Sequence, residues 1–76
     1  MINVRDKKFL KALGEHIKNL RIKKNMSQED LANDADISIS QVGRIERGEV
    51  NATVSTIYVI AKALEIHHKE LMYFNI

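Results

Sequence analysis

The residues with chemistry to offer gather in one polar stretch, SQEDLANDADISISQVGRIERGE, from Ser27 to Glu49. Arg44 and Arg47 stand near its end, with serines at 27, 38 and 40 before them. A guanidinium is a planar fork of N–H donors, so it grips paired acceptors: a carboxylate, a phosphate, or O6 and N7 of a guanine. A serine hydroxyl either joins such a polar surface or caps a helix. Covalent chemistry finds little support. The chain has no Ser-His-Asp set with a positioned base and no glycine-rich loop to cradle a phosphate. His16, His67 and His68 have no cysteine beside them and no clear third ligand. Adjacent histidines point apart on a helix, so plain surface histidines are expected, with no metal and no cofactor. What remains is reversible recognition of a polar partner, and no enzyme.

That recognition needs a scaffold, and apolar spacing supplies one. Phe9, Leu10, Leu13, Ile17 and Leu20 recur at three- and four-residue steps, which predicts a first helix from about Asp6 to Lys24. Lys7, Lys11, Lys18 and Arg21 fall on one stripe roughly 110° from that face, and Ile22 fits neither. Asn25 tolerates the left-handed conformation that ends many helices. Ser27 caps a short second helix that closes near Ala35. Asp30 stands where a capping box prefers Glu or Gln, so that box is expected to be imperfect. Glu29 and Asp30 both suit the positive end of the helix dipole. Asp36 takes the turn.

Ser38-Ile39-Ser40-Gln41 is a better box, S-x-x-Q, and opens a third helix that ends at Gly48. After the loop EVNAT, Thr53 caps a fourth helix with Val54, Ile57, Ile60, Ala61 and Leu64 inward. EIHHKELMYFNI gives a short fifth helix or turn that holds Ile66 and Leu71. No strand alternation, internal repeat or linker interrupts the pattern. The expected fold is all-α, five helices in one domain over residues 1–76.

The stretch from about 27 to 47 thus reads as helix, tight turn, helix. Ala32 and Ala35 let the two helices cross closely, Ile37 plugs the turn, and Val42 and Ile45 anchor the third helix from below. The outer face is left with Ser38, Ile39, Ser40, Gly43, Arg44 and Arg47. A small, polar helix face held up by its neighbours is what the major groove of DNA accepts.

With LGEHIKNLR, SQEDLA, ISISQVGRIERGE and TIYVIAKALEI, the chain resembles the Cro/repressor-type, lambda-repressor-like helix-turn-helix domains from about Leu13 to Phe74. The resemblance implies a sequence-specific regulator of transcription on double-stranded DNA. It further implies a homodimer on a palindromic operator, with residues 39–47 as recognition helix. Carried over by position, Gln28 stands where the family's second helix donates to a phosphate; a solvated first-turn glutamine is the plain alternative. Ser38, Ile39, Ser40 and Arg44 match positions that meet base edges, and Arg47 one near the phosphates. Arg21 and Glu46 match an ion pair that links the first and third helices and fixes the pose of the recognition helix. If exposed, that pair is worth under ~1 kcal/mol.

Several residues depart from the pattern. Ile39 replaces a residue that is often polar; it either packs on a thymine methyl or is partly buried at the helix start. Gly43 sits mid-helix at a cost of roughly 1 kcal/mol against Ala, either for close approach to DNA or simply tolerated. Gln41 is divided between capping and contact, and the box favours capping. Ala52 stands where the family often has proline, which loosens the loop. Arg44 has two roles open to it, guanine recognition or a phosphate or surface ion pair.

Composition bounds these readings. The chain has 76 residues, no cysteine, no proline, 3 glycines and 45% hydrophobic residues, which suits one small helical domain near the lower limit for an unaided core. Its N-terminus is too charged for a signal peptide, and no apolar run approaches the ~18 residues of a membrane span, so a cytoplasmic protein is expected. Net charge is only +2, yet residues 1–24 carry eight basic and two acidic side chains, while residues 25–76 carry four and eight. The basic segment is either a solvated face or an attraction for a polyanion. Leu71, Met72, Tyr73, Phe74 and Ile76 crowd the end of the chain. Either they close over its own core or, for Met72, Phe74 and Ile76, they form a two-fold seam within a segment of about 66–76. Such a seam sets two recognition helices about 34 Å apart, one turn of DNA. The rival class is a protein-interaction module on the same fold, such as an antitoxin with a protein partner.

Overall fold

Residues 5–76 are described by a computed structural model, in which five helices follow one another through short turns: α1 Lys7–Lys23, α2 Gln28–Ala35, α3 Ile39–Glu46, α4 Val54–Ala63 and α5 His68–Leu71. Among these residues there is no strand, and no helix is long and apolar enough to cross a membrane. α1 lies against α3 and α5, α2 against α3 and α4, and α4 against α5. Ile17, Leu31, Val42, Ile60, Leu64 and Leu71 meet in the centre, all within 1% of full burial. Each helix therefore contributes at least one side chain to one core. The apolar stripe of α1 faces inward as its spacing requires, with Leu10, Leu13 and Ile17 buried. α4 departs from expectation at its first residue. Val54 is 87% exposed, so the inward face begins later, at Ile57 and Ile60.

Side chains set the helix ends. Asp6 caps α1 by accepting from the Phe9 N–H at 2.9 Å, Ser38 caps α3 from Gln41, and Thr53 caps α4 from Thr56. The two capping boxes reverse the expectation. At α2 the box is complete: Ser27 Oγ accepts from the Asp30 N–H at 3.0 Å, and Asp30 Oδ2 accepts from the Ser27 N–H at 2.9 Å. The shorter Asp reaches back as well as a Glu would. At α3 only the Ser38 half forms, and Gln41 returns no side-chain bond to Ser38. Asn25 and Asp36 take the left-handed conformation at φ 58° and 59°. Glu65 does too, at φ 57°, and His67 Nδ1 caps α5 by accepting from the Lys69 N–H; neither feature has a sequence signal of the usual kind.

The α2 box makes a pH prediction. Asp30 is held below its ordinary carboxyl value, chiefly by the backbone N–H of Ser27 and then by its hydroxyl. A carboxyl lowered on folding stabilises the fold at neutral pH, and that contribution disappears as pH falls through the folded value. Thermal unfolding of Asp30→Asn is expected to show a shallower loss of stability on acidification than the parent chain. Parallel curves from neutral pH down to the acid limit would mean that the box contributes nothing.

Candidate nucleic-acid interface

The pose of α3 is fixed from below by a buried polar knot. Arg21 of α1 donates through Nε to Glu46 Oε2 at 2.6 Å and through Nη2 to Glu46 Oε1 at 3.1 Å. Its Nη1 donates to the Met26 carbonyl at 2.8 Å, and Gln28 Nε2 of α2 donates to Glu46 Oε1 at 3.0 Å. The paired side chains are only 10% and 2% exposed, so this is a buried ion pair and not the exposed one of marginal worth. Four hydrogen bonds thus join α1, the turn before α2, α2 and α3 at one carboxylate and one guanidinium. Arg21 is accordingly withdrawn from the basic stripe, while Lys7, Lys11 and Lys18 remain exposed.

Beside the knot, α1 and α3 approach through Gly14. A Cβ there would lie 2.8 Å from the carbonyl carbon of Glu46 and closer still to the Ile45 carbonyl oxygen. Gly14 has no signal in the sequence, because a lone glycine inside a helical pattern reports only a local cost.

At ~100° per residue, Ser40, Arg44 and Arg47 lie on one line facing away from Val42 and Ile45. All three are exposed, as is Ser38, and Ile39 is 52% exposed. The Arg44 guanidinium has no hydrogen bond or ion pair among the described residues. Gly43 is buried beneath the Arg47 guanidinium, and a Cβ at 43 would lie 3.0 Å from Arg47 Nη1. Arg47 in turn pairs with Glu49, Nε to Oε2 at 2.8 Å and Nη2 to Oε1 at 3.3 Å. Gln41 flanks the same line half-buried, its side-chain amide without a hydrogen bond among the described residues. A cleft of about 680 Å³ runs beside this face, lined by Lys11, Lys18, Gln28, Arg47 and Glu49 among others. Arg44 and Arg47 thus share one surface, while Gln28 sits at its edge with its amide engaged by Glu46.

The C-terminal residues divide. Phe74 is half-buried on its own α1, its ring 5.4 Å from Phe9 and 5.2 Å from His16, and His16 Nε2 lies 3.0 Å from the Glu70 carbonyl. The ring thus closes in part over its own chain and keeps some of its surface open, so both readings of Phe74 stand. Met72 and Ile76 are 45% and 68% exposed. Tyr58 of α4, 54% exposed, joins Met72 along an apolar groove of about 740 Å³ floored by Phe9, Leu10 and Ile57. The spacing that turns Val54, Ile57, Ile60, Ala61 and Leu64 inward assigns Tyr58 no place, so this face has no signal in the sequence.

Comparison with known proteins adds independent findings. A helix-turn-helix family model matches residues 17–71. The control protein C.BamHI of Bacillus amyloliquefaciens is 39% identical over 63 residues, 82% of this chain and 78% of that protein. The control protein C.SmaI of Serratia marcescens is 37% identical over 60 residues, 79% and 71% of the two. Among solved structures, the restriction-modification controller protein C.AhdI of Aeromonas hydrophila matches with a TM-score of 0.79 at 38% identity, over 84% of this chain and 96% of that one.

Proposed function

Because the chain belongs to the helix-turn-helix family of DNA-binding transcriptional regulators, we propose that it works as a homodimer on a palindromic operator, with α3 in the major groove. The carrying observation is the exposed line of Ser40, Arg44 and Arg47 on a helix whose inner side is locked by the Arg21–Glu46–Gln28 knot. A recognition helix must be held rigidly and must present donors outward, and this one does both. Arg44 reads a guanine, Ser38, Ile39 and Ser40 meet neighbouring base edges, and Arg47 reaches phosphate. Gln28 positions α2 through Glu46 and offers its second amide hydrogen to a phosphate at the edge of the face. The protein binds and does not catalyse; the hydroxyls of Ser27, Ser38 and Thr53 are engaged as caps. It acts in the cytoplasm. The related controllers support the genes of a restriction–modification system as its target.

The second copy meets the groove between α1, α4 and α5. Val54, Tyr58 and Met72 line the groove with exposed apolar side chains, and Ile76 and Tyr73 are exposed at 68% and 85%. Exposed apolar surface of this extent is costly unless covered, and a two-fold axis lets one such patch cover its own copy. The whole chain, residues 1–76, acts as one unit in this reading.

Selection from a random duplex pool, followed by a salt titration of the winner, tests this function. A palindrome with half-sites about one turn apart and a steep negative salt slope is expected. No enriched sequence would move the assignment to a protein-interaction module or antitoxin. On the selected duplex, Arg44→Ala is expected to cost about 1–3 kcal/mol and to relax choice at one base position per half-site. Equal loss on every sequence would make Arg44 a phosphate contact.

A further inference from the structure

The turn after α3 holds a carboxylate against one of the two arginines of the presented face. Gly48, at φ 73°, turns the chain back, and the Glu49 N–H donates to the Arg44 carbonyl at 2.9 Å. Glu49 is thereby anchored beside the helix it has just left. Its carboxylate takes two N–H donors of Arg47, and Gly43 supplies the flat seat on which the guanidinium rests. Arg47 and Glu49 are 58% and 51% exposed, so water and a competing anion reach both. Glu49 is held below the ordinary carboxyl value, first by its hydrogen bond to Arg47 and with a smaller contribution from Arg44. It is therefore a full anion at neutral pH.

We propose that Glu49 sets the affinity and selectivity of the interface by occupying the Arg47 guanidinium in the free protein, so that a DNA phosphate must displace it. This rests on the DNA-binding reading above and adds a residue to it. A carboxylate and a phosphate present the same paired oxygens to a guanidinium, so the exchange is isosteric in its hydrogen bonds. An exposed pair is worth little by itself, so the exchange is easily driven when α3 docks fully. On a duplex without the right bases α3 docks less deeply, Glu49 stays in place, and one phosphate contact is forgone. The carboxylate thus weakens binding to random DNA more than binding to the operator.

The experiment measures binding of the full chain to a random duplex and to the selected duplex across a salt series, for the parent, Glu49→Gln, Arg47→Gln and the double variant. All changes lie on exposed side chains, and matching melting temperatures check that the fold is kept. Glu49→Gln is expected to tighten binding to the random duplex about three- to tenfold and to steepen its salt slope by about one. The selected duplex should gain less, so the ratio of the two affinities falls. In the Arg47→Gln background the gain from Glu49→Gln should vanish. An equal gain in that background would show a general charge effect and overturn the exchange. So would an unchanged affinity, or weaker binding, which would make Glu49 a bystander or an orienting partner of Arg47. A parent chain that binds no duplex at low salt would instead remove the DNA-binding reading, and the exchange with it.

Discussion

Glu46→Ala should cost the fold about 3–5 kcal/mol, the range found when one partner of a buried ion pair is removed. The carboxylate is 2% exposed and accepts from Arg21 Nε, Arg21 Nη2 and Gln28 Nε2. Without it, a guanidinium that is itself 10% exposed keeps only the Met26 carbonyl as partner. A charge left in that position costs more than the pair was worth, because its desolvation is no longer compensated. Chains of this size are stable by roughly 4–11 kcal/mol at ~0.05–0.15 kcal/mol per residue, so the loss takes a large share of the total. Each kcal/mol lowers the melting temperature of so small a domain by about 4–8 °C. Thermal unfolding therefore reads the effect directly. A second variant separates burial from pairing. Replacing both partners with apolar residues, Arg21→Met with Glu46→Leu, is expected to recover most of the stability, since no buried charge is then stranded. Losses below ~1 kcal/mol in the single variant would mean that the pair behaves as an exposed one.

The contrast between knot and face explains what the sequence made legible. Helical periods read the α1 stripe and the Val42 and Ile45 anchors well, because a buried face repeats over several turns. Positive φ at Asn25 and Asp36 was legible from residue type and place. The resemblance brought Arg21 and Glu46 together, but their burial could not be read from residue types. Charged residues are mostly exposed, and only the crossing of α1 over α3 encloses these two. Gly43 and Phe74 both have neighbours that spacing alone does not reveal. Each lies at a helix-wheel angle or chain end that faces outward in isolation, and each is then covered by a side chain from elsewhere: the Arg47 guanidinium in one case, and in the other the rings of α1. The boxes at Ser27 and Ser38 show the limit of motif preference, since Asp30 completes its box and Gln41 does not.

The same limit gives the second large effect, a sign reversal between two glycines. Helix propensity alone makes Gly→Ala inside a helix worth about 1 kcal/mol of stability, whether at Gly14 in α1 or Gly43 in α3. Their surroundings differ. At Gly43 an added Cβ meets the end of the Arg47 side chain, which can swing toward solvent, so Gly43→Ala is expected to stabilise by up to ~1 kcal/mol. At Gly14 it meets the backbone carbonyls of Ile45 and Glu46, which cannot move without parting α1 from α3. Parting them strains the crossing by about 1–3 kcal/mol or more. It also stretches the Arg21–Glu46 bonds, which tolerate little displacement at 2.6 and 3.1 Å. Gly14→Ala is therefore expected to destabilise by about 2 kcal/mol net. It should also weaken operator binding at temperatures where the variant remains folded, because Ile45 and Glu46 carry the recognition helix. Unfolding curves and duplex titrations of the two variants, side by side, decide the matter. Equal stabilisation by both would mean that α1 and α3 do not meet at Gly14 as closely as described, and that the pose of α3 rests on the ion pair alone.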